Sequence, residues 1–183
     1  MRILSKEINS KTIKKLEDLR NTLLLNYSEV EDGSGLKKGT YSKIARELVS
    51  SGLETIGAII LFFGFEYHEF FDFSKPLPSE AALKKRMERF HKAHGSTAYE
   101  VIYKQPELSE VIEHRLLHTS LFDNWVNVET ISAYLKTSYG YEYGNVSAGL
   151  LGAVKSQLLI SRKKRSTPDS KSRYNEYKRY GEG

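Results

Sequence analysis

Two histidine pairs stand at helical spacing, His91 with His94 and His114 with His118. Separations of three and four put each pair on one helical face. Imidazoles so placed can share a divalent metal, with Glu110 or Glu113 adding a carboxylate. Neither pair has a third histidine at diagnostic spacing, and no His-Glu-x-x-His pattern occurs. Surface or core histidines are therefore the expectation, and no metal is assigned. A nuclease needs clustered carboxylates with a catalytic lysine; Glu66, Glu69 and Asp72 are close in sequence, but they stand among phenylalanines without a recognisable motif. Gly33-Ser34-Gly35-Leu36-Lys37-Lys38-Gly39 is glycine-rich and basic yet lacks P-loop spacing, and it reads as a flexible loop. No Gly-x-Ser-x-Gly elbow is present. The chain has no cysteine, which excludes disulfides, thiolate metal sites and thiol catalysis. The expectation is a protein that is no enzyme and uses no cofactor.

Charge is more informative than any of these groups. The 183 residues carry 28 Lys and Arg against 23 Asp and Glu, a formal net charge of +5. From Lys155 onward there are nine basic residues (Lys155, Arg162, Lys163, Lys164, Arg165, Lys171, Arg173, Lys178, Arg179) and three acidic ones (Asp169, Glu176, Glu182), a net of +6. Residues 1–154 then hold 19 basic and 20 acidic side chains, a net of −1. A basic end beside a neutral body points to a polyanion, most simply nucleic acid. The alternative is a solvated basic tail.

The elements that must position these residues follow from periodicity. Residues 5–25 read as a helix, with Ile8, Leu16, Leu19 and Leu23 near helical spacing. Residues 29–39 read as a loop. Thr40 is a candidate cap for a helix with Tyr41, Ile44, Ala45 and Leu48 on one stripe and Gly52 as its stop. Residues 53–63 are apolar nearly all round, as in a buried helix. Residues 62–73 hold six phenylalanines and mark an aromatic core, in which a partner interface is also conceivable. Lys75-Pro76-Leu77-Pro78-Ser79 is a linker, and Ser79 caps a charged helix ended by Gly95. The stretch Tyr41–Leu48 followed by Leu53–Ile56 is a weak helix-turn-helix echo, read mainly as packing. The N-terminus meets charges at once, so no secretory leader is expected. The longest apolar run, Ala58 to Phe65, is too short to cross a bilayer. A cytoplasmic location is expected, nucleoid-associated or, in a eukaryote, nuclear.

Residues 109–180 carry the clearest order. A helix from Ser109 to about Leu121 leads to an extended Trp125–Val128. A helix then runs from Glu129 to about Thr137, followed by the turn Ser138–Gly144. Asn145 caps a further helix with Val146, Leu150, Val154 and Leu158 four apart. Arg162-Lys163-Lys164-Arg165, the turn Thr167–Ser170 and the polar-aromatic Lys171–Tyr180 close the chain. Helix, short strand, helix, turn, helix, basic hairpin resembles the winged helix-turn-helix superfamily. Val128–Leu135 looks like its first helix, Asn145–Lys155 like its recognition helix, and Leu158–Lys163 like the exit into its wing.

The resemblance implies duplex DNA binding, with the second helix in the major groove and the wing along phosphates; RNA stays open. The nucleic-acid-binding candidates are Asn145, Ser147, Lys155, Arg162, Lys163, Lys164, Arg165, Lys171 and Arg173. Tyr174 and Tyr177 either touch the nucleic-acid backbone or pack the wing. Ser147, Ala148, Gly149, Gly152, Lys155 and Ser156 form the expected solvent face of the second helix, which is short of base-reading side chains. Two glycines there suggest a close approach, by nucleic acid, another helix or a partner, or simple tolerance. The expected architecture is mainly α: an N-terminal helical domain (1–74), a linker and connecting helix (75–106), and a winged helix-turn-helix with a small β-hairpin wing (107–183). The expected role is that of a transcriptional regulator or a replication or genome-maintenance accessory factor. A homodimer or protein partner is expected to engage through the N-terminal domain, and no membrane is involved. The alternative is a protein-interaction adaptor on the same scaffold.

Overall fold

The computed structural model describes residues 2–47, 52–165 and 173–181. The chain is mainly helical with one small antiparallel sheet, and it divides into two compact units, Met1–Lys104 and Gln105–Gly183. No helix among the described residues is long and apolar enough to cross a membrane.

The first unit holds α1 (Arg2–Leu23), α2 (Tyr27–Gly33), α3 (Thr40–Ala45), α4 (Leu53–Phe62), α5 (Tyr67–Phe70) and α6 (Glu80–Ala93), followed by a 3₁₀ turn at Ala98–Tyr103. Ile8 of the expected α1 stripe is 50% exposed, and Ile13 takes its place: Ile13, Leu16, Leu19 and Leu23 share one core with Ile59, Ile60, Phe62, Phe63 and Phe70. Four of the six clustered phenylalanines are thus core, while Phe73 is partly exposed. Leu53 departs from the expected all-round burial at 73% exposure, and α4 is buried only from Ile56 onward. That burial removes α4 as a reading helix. The helix expected as a connector, α6, packs into this unit through Leu83, Met87 and His91.

Residues 29–39 are not a plain loop, because Asn26 builds a capping box. Its side chain accepts the Glu29 N–H at 2.8 Å, and the Glu29 carboxylate accepts the Asn26 N–H at 2.8 Å. The α2 helix so formed aims a buried carboxylate, Glu31, at the start of α3. It accepts the N–H groups of Gly39 (2.8 Å), Tyr41 (2.8 Å) and Ser42 (3.3 Å). The expected Thr40 cap is thereby replaced: Gly39 is the N-cap, with φ +81°, and Glu31 supplies the acceptors from outside the helix. A carboxylate also suits the positive end of the helix dipole. Nearby, the Tyr41 hydroxyl donates to Glu17 at 2.7 Å, and burial pushes that phenol well up from its ordinary value.

The second unit holds α7 (Leu108–His114), short 3₁₀ turns at Leu116–His118 and Ser120–Phe122, β1 (Val126–Asn127), α8 (Val128–Tyr139), α9 (Val146–Lys155), β2 (Leu159–Arg165) and β3 (Arg173–Arg179). The helix expected to reach Leu121 ends at His114. The backbone leaves the helical region at Arg115 (φ −130°), and Thr119 separates the two 3₁₀ turns that follow, its hydroxyl donating to Leu116 O at 2.8 Å and accepting the Leu121 N–H at 3.2 Å. The sheet order is β1–β3–β2, both pairings antiparallel, so β3 is central. Leu108, Val111, Ile112, Leu116, Phe122, Ile131, Leu135, Val146, Leu150, Ala153, Leu159 and Tyr177 are the buried apolar side chains of this unit.

Truncating Glu31 leaves two or three backbone donors without their acceptor in a buried setting. We expect Glu31→Ala to lower stability by about 3 kcal/mol, with Glu31→Gln recovering part of the loss. Urea unfolding followed by circular dichroism measures it, and an unchanged midpoint for Glu31→Ala would contradict the assignment.

Candidate nucleic-acid interface

Helix α8 opens on Asn127, whose side chain accepts the Thr130 N–H at 2.8 Å, and closes on Gly140 at φ +72°. The turn into α9 is aromatic and tethered. Tyr139 stacks on Tyr141 (centroids 5.8 Å apart, planes at 15°), and Tyr141 meets Tyr143 edge-on. The Tyr143 hydroxyl donates to Pro106 O at 2.8 Å, and burial pushes that phenol up to about 12. Gln105 and the Glu142 backbone exchange two hydrogen bonds, at 3.0 and 3.2 Å. These ties set the start of α9. Asn145 then caps it, accepting the Ala148 N–H at 3.1 Å. Its carbonyl oxygen is therefore engaged within the protein.

The far end of α9 differs from the four-residue stripe expected in the sequence. Gln157, at φ +58°, takes the position usually held by glycine after a helix. Its N–H donates to Val154 O at 3.0 Å, and that of Leu158 to Ala153 O at 2.9 Å. Leu158 is thus outside the helix, and the buried face is Val146, Leu150 and Ala153. This sharp exit turns the chain straight into β2.

The two α9 glycines do different things. A Cβ on Gly149 would lie 2.5 Å from Leu108 Cδ2 and 2.9 Å from its Cγ, whereas one on Gly152 meets nothing within 4 Å. Gly149 therefore belongs to the contact with α7, not to the expected solvent face. The close approach at this position is by another helix. The exposed face is Asn145, Ala148, Leu151, Gly152, Lys155 and Ser156, with Ser147 half-buried beside it. Leu151, expected beside the apolar stripe, is 44% exposed.

The basic residues gather on the strand pair. Strands β2 and β3 carry Arg162, Lys163, Lys164, Arg165, Arg173, Lys178 and Arg179 against Glu176 alone, a net of +6. The register pairs Lys163 with Asn175, Arg165 with Arg173, Arg162 with Glu176 and Lys164 with Tyr174. Directly opposed residues share a face, so the cations divide. On one face, Lys163, Arg165 and Arg173 extend into solvent beyond buried Leu159 and Tyr177. On the other, Arg162 and Lys164 converge on Glu176. The Arg162 Nε and Nη2 donate to Glu176 Oε2 at 2.8 and 2.7 Å, and Lys164 Nζ to Oε1 at 3.1 Å. The Arg162 guanidinium also lies 4.3 Å from the Trp125 ring centroid. Burial disfavours the Glu176 charge. The hydrogen bonds and positive charges of Lys164 and Arg162 outweigh it and hold the carboxyl below its ordinary value.

Of the candidates, Lys155, Arg162, Lys163, Lys164, Arg165 and Arg173 are exposed, Asn145 is a cap, Ser147 is half-buried, and Lys171 lies outside the described residues. Tyr177, fully buried on the central strand, packs; Tyr174 is partly exposed. Sequence reasoning missed Trp125 and Glu176 as partners of Arg162, and Arg179, which donates to Thr119 O at 2.6 Å and pairs with Asp123 at 3.2 Å. Their signal was faint: Glu176 is the sole acid in a run of cations, and its role depends on strand register.

The other chemistry candidates are placed as follows. His91 is buried, its Nε2–H donating to Phe62 O at 2.9 Å and its Nδ1 accepting from Ser96 Oγ at 3.2 Å. His114 lies 3.4 Å from Glu110. Glu66 and Glu69 form the capping box of α5, with Glu69 also paired to Arg86 at 2.7 Å, and Asp72 binds Ser74. Among the described residues no three such side chains gather to hold a metal.

The glycine pair makes a matched test. Gly149→Ala forces Leu108 or the helix to shift and should cost about 1–3 kcal/mol. Gly152→Ala gains helix propensity in open space and should stabilise by up to about 1 kcal/mol. Opposite shifts in melting temperature are expected; shifts of the same sign contradict this packing. Acid should also weaken the strand pair. The Glu176 carboxyl is depressed in the folded chain, so its contribution is complete above the ordinary carboxylate range and is lost as pH falls through the depressed value. Trp125 fluorescence during acid titration reads this loss, which Glu176→Gln should remove. Compared with known proteins, the chain matches no family model, no curated protein and no solved structure.

Proposed function

We propose that this chain is a non-enzymatic DNA-binding protein, whose second unit is a winged helix-turn-helix. In this reading α8 and α9 form the helix pair, α9 enters the major groove, and the β2–β3 pair is a wing lying along phosphates. The carrying observation is the net +6 of two adjacent strands, with Lys163 and Arg173 exposed on one face, directly after a helix pair and in a sheet completed by the strand preceding it. Lys155 at the end of α9 adds a further cation on the exposed side. Duplex DNA suits a helix reader better than RNA, whose deep, narrow major groove excludes side chains. Affinity then comes mostly from phosphates, because Ala148, Leu151 and Gly152 offer no hydrogen bonds to base edges. Such binding suits a regulator or an accessory factor of replication or genome maintenance.

A second reading, a protein-interaction adaptor, is favoured by the same small and apolar α9 face with half-exposed Leu151. Binding to labelled random-sequence duplex across a salt series separates the two. We expect salt-sensitive binding by the intact chain. Lys163→Ala/Arg173→Ala should weaken it and make the log–log salt slope shallower by about 1.8, two phosphates at about 0.9 each. Ala148→Glu, at an exposed α9 position, should lower affinity with the fold unchanged. No binding by the intact chain at low salt overturns the DNA reading and leaves the adaptor.

A further inference from the structure

Resting on the DNA reading, we infer that Glu176 is a built-in competitor for phosphate: it occupies Arg162 and Lys164 from within the strand pair and so sets how many cations the DNA can neutralise. Three observations carry this. First, both carboxylate oxygens are engaged, Oε2 by Arg162 at 2.7 and 2.8 Å and Oε1 by Lys164 at 3.1 Å. Charge-assisted donors to an oxyanion are the same contacts that Arg and Lys make to a phosphate. Second, the carboxylate is fixed while its partners face water. Glu176 sits on the central strand, 5% exposed and in register with both Arg162 and Asn127, whereas Arg162 and Lys164 are both exposed. The competing anion therefore cannot swing away. Third, Arg162 is held from a second side by Trp125, 4.3 Å from its guanidinium, which makes Arg162 a positioned group rather than a mobile tether.

The two faces of the strand pair then differ in purpose. The face with Lys163 and Arg173 offers cations directly to a polyanion. The face with Arg162 and Lys164 also carries Lys178, opposite Ile160, and is partly neutralised in advance, Glu176 engaging two of its three cations. Glu176 is thus a positioning residue that limits affinity, a device suited to a protein that must leave DNA as well as bind it.

Removing the carboxylate's charge tests this. Glu176→Gln, assayed in the full chain on labelled random-sequence duplex, should bind roughly tenfold more tightly at about 0.1 M salt, with a salt slope steeper by up to about 1.8, as two further phosphates are engaged. Adding Arg162→Gln and Lys164→Gln to Glu176→Gln should return the slope toward that of the natural chain. Loss of the carboxylate lowers the melting temperature under either reading, so binding decides: a purely structural role predicts weaker binding by Glu176→Gln. Should Glu176→Gln fail to fold, Glu176→Asp reads the same step, because it keeps the charge but withdraws it by one methylene; intermediate affinity is expected. If the natural chain binds and both folded variants bind no more tightly, this inference fails and the DNA reading stands. If neither the natural chain nor Glu176→Gln binds at low salt, both fail together. Binding by Glu176→Gln alone, with none by the natural chain, overturns the DNA reading and this inference with it.

Discussion

A strand pair carrying seven cations must hold them against one another, and the single carboxylate of Glu176 makes this tolerable. Arg165 stands directly opposite Arg173 in the register, an arrangement that repels. Arg162 and Lys164 would add to that repulsion if they did not converge on Glu176. The carboxylate can be there only because β3 is central: it is flanked by β1 on one side and β2 on the other, so Glu176 is covered. Leu159 and Tyr177 anchor the base of the pair in the core, and Arg179 is tied to Thr119 and Asp123. Charge display at one end thus depends on burial at the other.

The helices preceding the pair serve the same end. A helix can hand the chain directly to a strand only if its exit is sharp, and Gln157 in the left-handed region provides that exit at α9. Its start is set by tyrosine stacking and by the Gln105 and Tyr143 tethers. Between these ends, Gly149 lets Leu108 of α7 approach to a distance no side chain would allow. The exposed face that results is small and apolar rather than rich in hydrogen-bonding groups. This is why phosphate attraction, and not base readout, dominates the functional reading. The first unit follows a comparable rule on a smaller scale, with one buried carboxylate, Glu31, ordering the start of α3 through three backbone bonds.

The mainly helical class, the α1 stripe apart from Ile8, the aromatic core around Phe62 to Phe70, the Asn145 cap and the concentration of positive charge after Lys155 could all be read from the residues alone. Each is a local property: periodicity, cap chemistry and charge count act over a few residues and survive without knowledge of neighbours. Pairings between residues distant in the chain came only with folding. The α2 helix and its Glu31 lock, the division of the basic strands into two faces, the Trp125–Arg162–Glu176 contact and the packing role of Gly149 all depend on register and on the approach of separate elements. A one-residue slip in strand register would move every side chain to the other face. The cations could therefore be counted from the sequence, but which of them meet a carboxylate and which face solvent was set by folding.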